Sequence, residues 1–236
     1  MIFHNRKTFF IILSVIVFVV LFFSNPQSIS TQFVDINHAD TAWMIVASAL
    51  VLLMTPGLAF FYGGMVSKKN VISTMLQSFI ALGVISLLWV LFGFSLAFGD
   101  TFNGWGVIGN PLQYAFLNNL DVNNSNIPYL LFALFQLKFA IITPAIITGS
   151  FAERIRFRSY LLFMILFCIL IYSPLAHMTW ANDGLFANLG NVIGINGYEG
   201  LHILDFAGGT VVHMSAGLAA LALSLIHISE PTRLTS

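Results

Sequence analysis

The sequence predicts an all-α integral membrane protein, and three observations carry that reading. Of its 236 residues, 58% are hydrophobic and 8% charged, whereas soluble domains carry about 25% charged residues. The apolar residues fall in runs long enough to cross a hydrocarbon layer, which takes about 20 residues per helix. Lysines and arginines fall in alternate connections between these runs, as orientation in a membrane demands. Net charge is zero, so nothing points to a nucleic-acid partner. The single cysteine, Cys168, excludes a disulfide within the chain.

The elements follow in order. The prelude MIFHNRKTFFIILSVIVFVVLFFS has a basic start and an apolar run from Phe9. Residues 1–30 are read as a signal peptide or, since SNPQSIS offers no clear cleavage site, as an N-terminal anchor helix. Five spans are expected at 42–63, 71–98, 129–151, 159–180 and 205–226. Lys68 and Lys69 lie between the first two, and Arg154, Arg156 and Arg158 between the third and fourth. These connections are expected on the cytoplasmic side. The connections 99–128 and 181–204 hold no lysine or arginine and carry turn chemistry, FGDTFNGWGVIGNP and ANDGLFANLGNVIGINGYEG. They are expected to form ordered lids on the outside. The mature N-terminus is then outside, in a multi-pass protein of the cytoplasmic membrane. One domain is expected over 40–225. The tail IHISEPTRLTS, residues 226–236, turns polar abruptly and reads like translated sequencing adapter. It is expected to be non-native, making the chain a fragment ending near Leu225.

The stretch DFAGGTVVHMSAGLAALALSL, 205–225, holds two ionisable groups, Asp205 and His213. An unpartnered polar group in hydrocarbon costs several kcal/mol, roughly, so an ionisable residue there is a functional candidate. Asp205 is expected at the helix start, as an N-cap, as an anion shaping a cation site, or as both. Projected along a helix, His213 falls roughly 12 Å deeper and about 80° round. The small residues around them permit a close helix or a narrow lumen.

In YLLFALFQLKFAIITPAIITGSFAERIRF, Phe135 and Phe139 share a helix face. Lys138 lies mid-span and needs a partner, a wet cavity or neutrality. Glu153 is expected to serve Arg154 and Arg156. Trp180 closes the fourth span as an interfacial anchor or as a cation–π platform, with Tyr172 and His177 on the approach to it. In MTPGLAFFYGG, Pro56 and Gly57 are expected to interrupt the first helix. No nucleotide-binding loop, nucleophile motif or Cys/His cluster is present in the sequence, so no catalytic residue, metal site or cofactor is expected.

Taken together, DTAWMIVASALVLLMTPGLAFFYGGMVSKKNV, FAERIRF, AHMTW and LDFAGGTVVHMSAG resemble the ammonium transporter family (Amt/Mep/Rh), bacterial Amt branch, over roughly residues 40–225. The resemblance implies a fold of eleven helices in two inverted halves, of which this chain supplies the first five, assembled as a homotrimer. It implies that Trp180 and Phe135 receive the substrate, that Phe139 is half of a gate, that Asp205 organises the site, and that His213 is the first of two pore histidines relaying a proton. Ammonium, and alternatively methylammonium, would be deprotonated and pass an apolar pore as ammonia. A PII-type signalling protein would bind the cytoplasmic face. The second histidine and second gate phenylalanine would lie beyond this chain, so the fragment alone is expected to be inactive, and Lys138 is expected to face away from the pore. The competing readings are an ammonium sensor of the same fold and a haem-binding electron-transfer bundle using His177 and His213.

Overall fold

The computed structural model describes residues 36–120, 126–189 and 202–226. The prelude 1–30, the tail from residue 227 and the connection 190–201 lie outside the described residues. Five helices are long and apolar enough to cross a membrane: α1 His38–Met65, α2 Lys68–Phe98, α3 Tyr129–Phe151, α4 Phe157–Trp180 and α5 Gly209–Ile226. Each begins and ends within four residues of its expected bounds. Among the described residues there is no β-strand, only an isolated bridge between Thr101 and Gly109.

Helix α1 starts at Asn37, whose side-chain oxygen accepts from the amides of Ala39 and Asp40 at 2.9 and 3.1 Å, filling two of the donors a helix start leaves free. The helix then runs unbroken through Pro56 and Gly57, which corrects the expected interruption. A proline removes one ladder bond, and in an apolar surround the flanking bonds have no water to exchange with, so the helix continues.

The interruptions are elsewhere. Wide π turns occupy Trp89–Gly93 in α2, Cys168–Tyr172 in α4 and Gly209–Met214 at the start of α5. Such turns shift the helix register and are common at functional sites.

The core lies among α2, α3 and α4, built on Trp89, Phe94, Ile141, Tyr160, Phe167 and Tyr172. The polar tips of Trp89, Tyr160 and Tyr62 use main-chain carbonyls of neighbouring helices. Trp89 Nε1 donates to the Ala133 carbonyl at 3.1 Å, Tyr160 Oη to that of Gln77 at 3.0 Å, and Tyr62 Oη to that of Ile146 at 2.6 Å. Gly149 lets the Tyr62 ring seat, since a Cβ there would meet the ring at 2.5 Å.

The two basic connections lie at the same end of the bundle. Glu153 bridges them: its carboxylate accepts from the Ser67 amide at 2.8 Å, from the Ser67 hydroxyl, and from Asn70 Nδ2 at 2.9 Å. This corrects the expectation that it serves its sequence neighbours, because the turn carries it toward the other connection with positive φ (67°). The hydrogen bonds from Ser67 and Asn70 hold the carboxyl well below its usual range, at about 2.

At the opposite end, the described parts of the two remaining connections lock together. The Thr101 amide donates to Asp183 Oδ2 at 2.5 Å, and the Leu185 amide to the Gly106 carbonyl at 2.8 Å. Burial alone would raise the Asp183 carboxyl, but the hydrogen bonds from Thr101 outweigh it and leave the group below its ordinary value.

Candidate functional site

At this opposite end, α2, α3, α4 and the segment leading into α5 enclose a cavity of about 480 Å³. Its walls are aromatic: Phe98 from α2, Phe132, Phe135 and Phe139 from α3, and Trp180 from α4. Helical spacing explains the α3 contribution, since positions 132, 135, 136 and 139 fall on one face. The rings of Phe135 and Phe139 meet edge to face with centroids 5.0 Å apart. Asp205, Phe206 and Gly208 close the remaining side, and Gln136 also reaches the lining.

Asp205 sits before its helix, not in it. Expected at the first position of the fifth span, it precedes a start at Gly209, so the projection that placed His213 from Asp205 along one helix does not apply. The cause is Gly208, which has φ +73° and would place a Cβ 2.9 Å from Val212 Cγ2. The left-handed backbone turns the chain and delays the helix. The carboxylate still caps it: Asp205 Oδ2 accepts from the amides of Thr210 at 3.2 Å and Val211 at 3.0 Å. Its main-chain carbonyl accepts from Trp180 Nε1 at 3.2 Å.

A second cavity of about 550 Å³ adjoins the first and shares Phe98, Phe132 and Trp180 with it. Tyr114, Tyr129, Asp100 and Asp183 line the rest. Trp180 therefore stands between two cavities. Aromatic faces present negative charge to a cation, and two carboxylates at the wider cavity add to that field.

Four of the five expected site residues, Trp180, Phe135, Phe139 and Asp205, thus line one cavity. His213 does not line it. The imidazole is exposed on α5 and has no hydrogen-bond partner among the described residues. Lys138 lines neither cavity and shares a helix face with exposed Leu134, four positions earlier.

Tyr172 and His177, expected on the approach to Trp180, are fully buried and line neither cavity. The imidazole of His177 is occupied, with Nδ1 3.3 Å from the Ala97 carbonyl and Nε2 2.9 Å from Thr101 Oγ1. Phe98, Phe132, Gln136, Tyr114 and Tyr129 were not singled out in the sequence. The three- and four-residue spacing of 129, 132, 136 and 139 on α3 was the available signal for three of them, Tyr129, Phe132 and Gln136. Nothing local marked Phe98 and Tyr114, which come from separate elements.

Fold and site together define a multi-pass membrane protein with an aromatic, carboxylate-flanked cavity at one end of its helices. The chain belongs to the ammonium transporter family, whose model matches residues 42–232. It is similar to an ammonium transporter of Mycobacterium tuberculosis, 46% identical over 208 residues, covering 80% of this chain and 42% of that protein. Among solved structures it is similar to Saccharomyces cerevisiae Mep2, at 32% identity and TM-score 0.71 over 83% of this chain and 41% of the other. A protein described as a sensor Amt protein matches at 30% identity and TM-score 0.67, over 78% of this chain and 42% of the other. The chain thus spans about two fifths of the length of the relatives it matches.

Proposed function

We propose that this chain supplies the receiving half of a pore that takes up ammonium across the cytoplasmic membrane. The observation that carries the reading is the cavity itself, which gathers Trp180, Phe135, Phe139 and Asp205 from three parts of the chain. In this reading the basic end is cytoplasmic and the chain enters α1 from outside.

Trp180 and Phe135 receive the cation on their ring faces, which substitute for part of its water. Asp205 holds the start of α5 against Trp180 and adds a nearby anion. Phe139 closes the inward side of the cavity. A bare cation in hydrocarbon is prohibitive, so the cargo crosses as ammonia while the proton travels separately. His213, whose imidazole can both accept and donate a proton, passes that proton on. Its exposed imidazole, without a hydrogen-bond partner among the described residues, suits a lumen wall that further helices complete. Sodium and potassium cannot shed a proton and are excluded. Methylammonium is an alternative cargo, a homotrimer the assembly of the complete protein, and a PII-type signalling protein a partner at the basic end.

Two measurements test this. Reading the gene through codon 225 should show a frame continuing into further spans with a second mid-membrane histidine. The complete product should restore growth on low ammonium to cells lacking their own uptake, while residues 1–236 alone should not. Uptake by the short chain would sink the half-pore reading, and no uptake by the complete product would sink transport.

The likeness to a sensor Amt protein favours a second reading, an ammonium sensor using the same cavity. A signalling domain following the last helix, with ammonium binding but no uptake, would select it. A haem bundle has less support, because both nitrogens of His177 are already engaged.

A further inference from the structure

We infer that Lys138 docks a later helix of the complete protein by pairing with a carboxylate at mid-membrane depth, an inference that rests on the half-pore reading above. Lys138 lies well inside α3, Tyr129–Phe151, roughly 14 Å along the axis from the first residue. Its stem does not reach either interface from there. The side chain is half-buried, yet the amine has no hydrogen bond or ion pair among the described residues. A lysine at that depth pairs with an acceptor or faces a wet cavity, and Lys138 lines neither cavity.

The distribution of carboxylates says where the acceptor comes from. Of the nine Asp and Glu residues, Asp40 falls in the first turn of α1 and the others lie outside the five spans. A second copy of these five helices brings the same set, with no carboxylate at this depth. The chain covers 42% of its Mycobacterium tuberculosis relative, so the acceptor belongs to the helices that the complete protein adds. Helical geometry names the flank they meet. Lys138 lies about 60° round α3 from Phe135 and about 100° from Phe139. It stands at the edge of the cavity wall, between those rings and exposed Leu134. The helix that completes the lumen beside α3 comes against this edge. A carboxylate there offsets the cost of the lysine in hydrocarbon, and the lysine offsets that of the carboxylate. The pair also fixes the register of the two helices, because a slip of one turn, about 5.4 Å, leaves both charges unpaired.

The test combines the gene read through codon 225 with thermal unfolding of the complete product in detergent. The continued frame should place an Asp or Glu in the middle third of at least one later span. Absence of further spans would overturn the half-pore reading itself. Further spans with no acidic residue at that depth would overturn this inference alone. Lys138→Met removes the charge and keeps the length of the side chain. It should lower Tm by about 5 °C or more, with KM for ammonium unchanged. Replacing the mid-span acid by its amide in the Lys138→Met background should restore at least half of the loss. A Tm unchanged or raised by Lys138→Met, or no recovery with any mid-span acid replaced, would refute the pairing. Lys138 would then be a neutral amine or one bonded to main-chain carbonyls. If Lys138→Met does not reach the membrane, the double variant decides: its return to the membrane supports the pair, and its absence refutes it.

Discussion

The indole N–H of Trp180 donates to the main-chain carbonyl of Asp205 across 3.2 Å, joining the end of α4 to the entry of α5. Asp205 in turn caps α5 through its carboxylate. One residue thus positions both the aromatic platform and the helix that carries His213. Loss of either bond should be felt at the cavity and in stability.

Asp205→Ala is expected to destabilise the protein by about 1–2 kcal/mol, the usual cost of a lost cap, and to abolish uptake. Trp180→Phe keeps a ring face but loses the N–H. It should cost about 1 kcal/mol and retain partial uptake, while Trp180→Leu should lose most of it. Thermal unfolding in detergent, paired with uptake, separates the two contributions.

His213→Leu should leave stability within about 0.5 kcal/mol, because the imidazole has no partner among the described residues to lose. Uptake by the complete product should fall at least about tenfold, as when a proton-transfer group is removed. A stable variant with parental uptake would show that the proton takes another route.

Lys138 stands on the face of exposed Leu134 and lines neither cavity. Lys138→Leu should therefore preserve uptake and its KM. It should also ease insertion of α3, since a mid-span lysine costs about 3 kcal/mol in insertion experiments. A large change in KM would place the ammonium group in the cargo path.

Glu153 ties the two basic connections through Ser67 and Asn70. Its carboxyl titrates at about 2 in the folded chain against an ordinary 4.5. With the folded value depressed, its contribution is complete above about 4.5 and is lost as pH falls toward 2. Glu153→Gln should abolish that part of the acid dependence and speed hydrogen exchange at the Ser67 amide. Unchanged exchange there would show that the bridge does not hold the connection.

The amino-acid sequence by itself determined the class, the five spans and the distribution of charge between the ends. Span length and the cost of charge in hydrocarbon are one-dimensional constraints, legible residue by residue. It also marked Asp205, His213, Lys138 and Trp180, because ionisable and indole groups in or beside apolar runs stand out without knowledge of their neighbours. Tertiary structure alone decided what those groups touch. The left-handed backbone at Gly208 moved the start of α5 four residues beyond Asp205 and turned an expected first residue into a cap reaching forward from a loop. Three π turns appeared where composition gave no sign, and Pro56, the obvious breaker, broke nothing. Glu153 bonded across the bundle to Ser67, 86 positions away. Hydrogen bonds and cavities belong to pairs and groups of residues from separate helices, and their partners are set by how the helices pack, which no local pattern records.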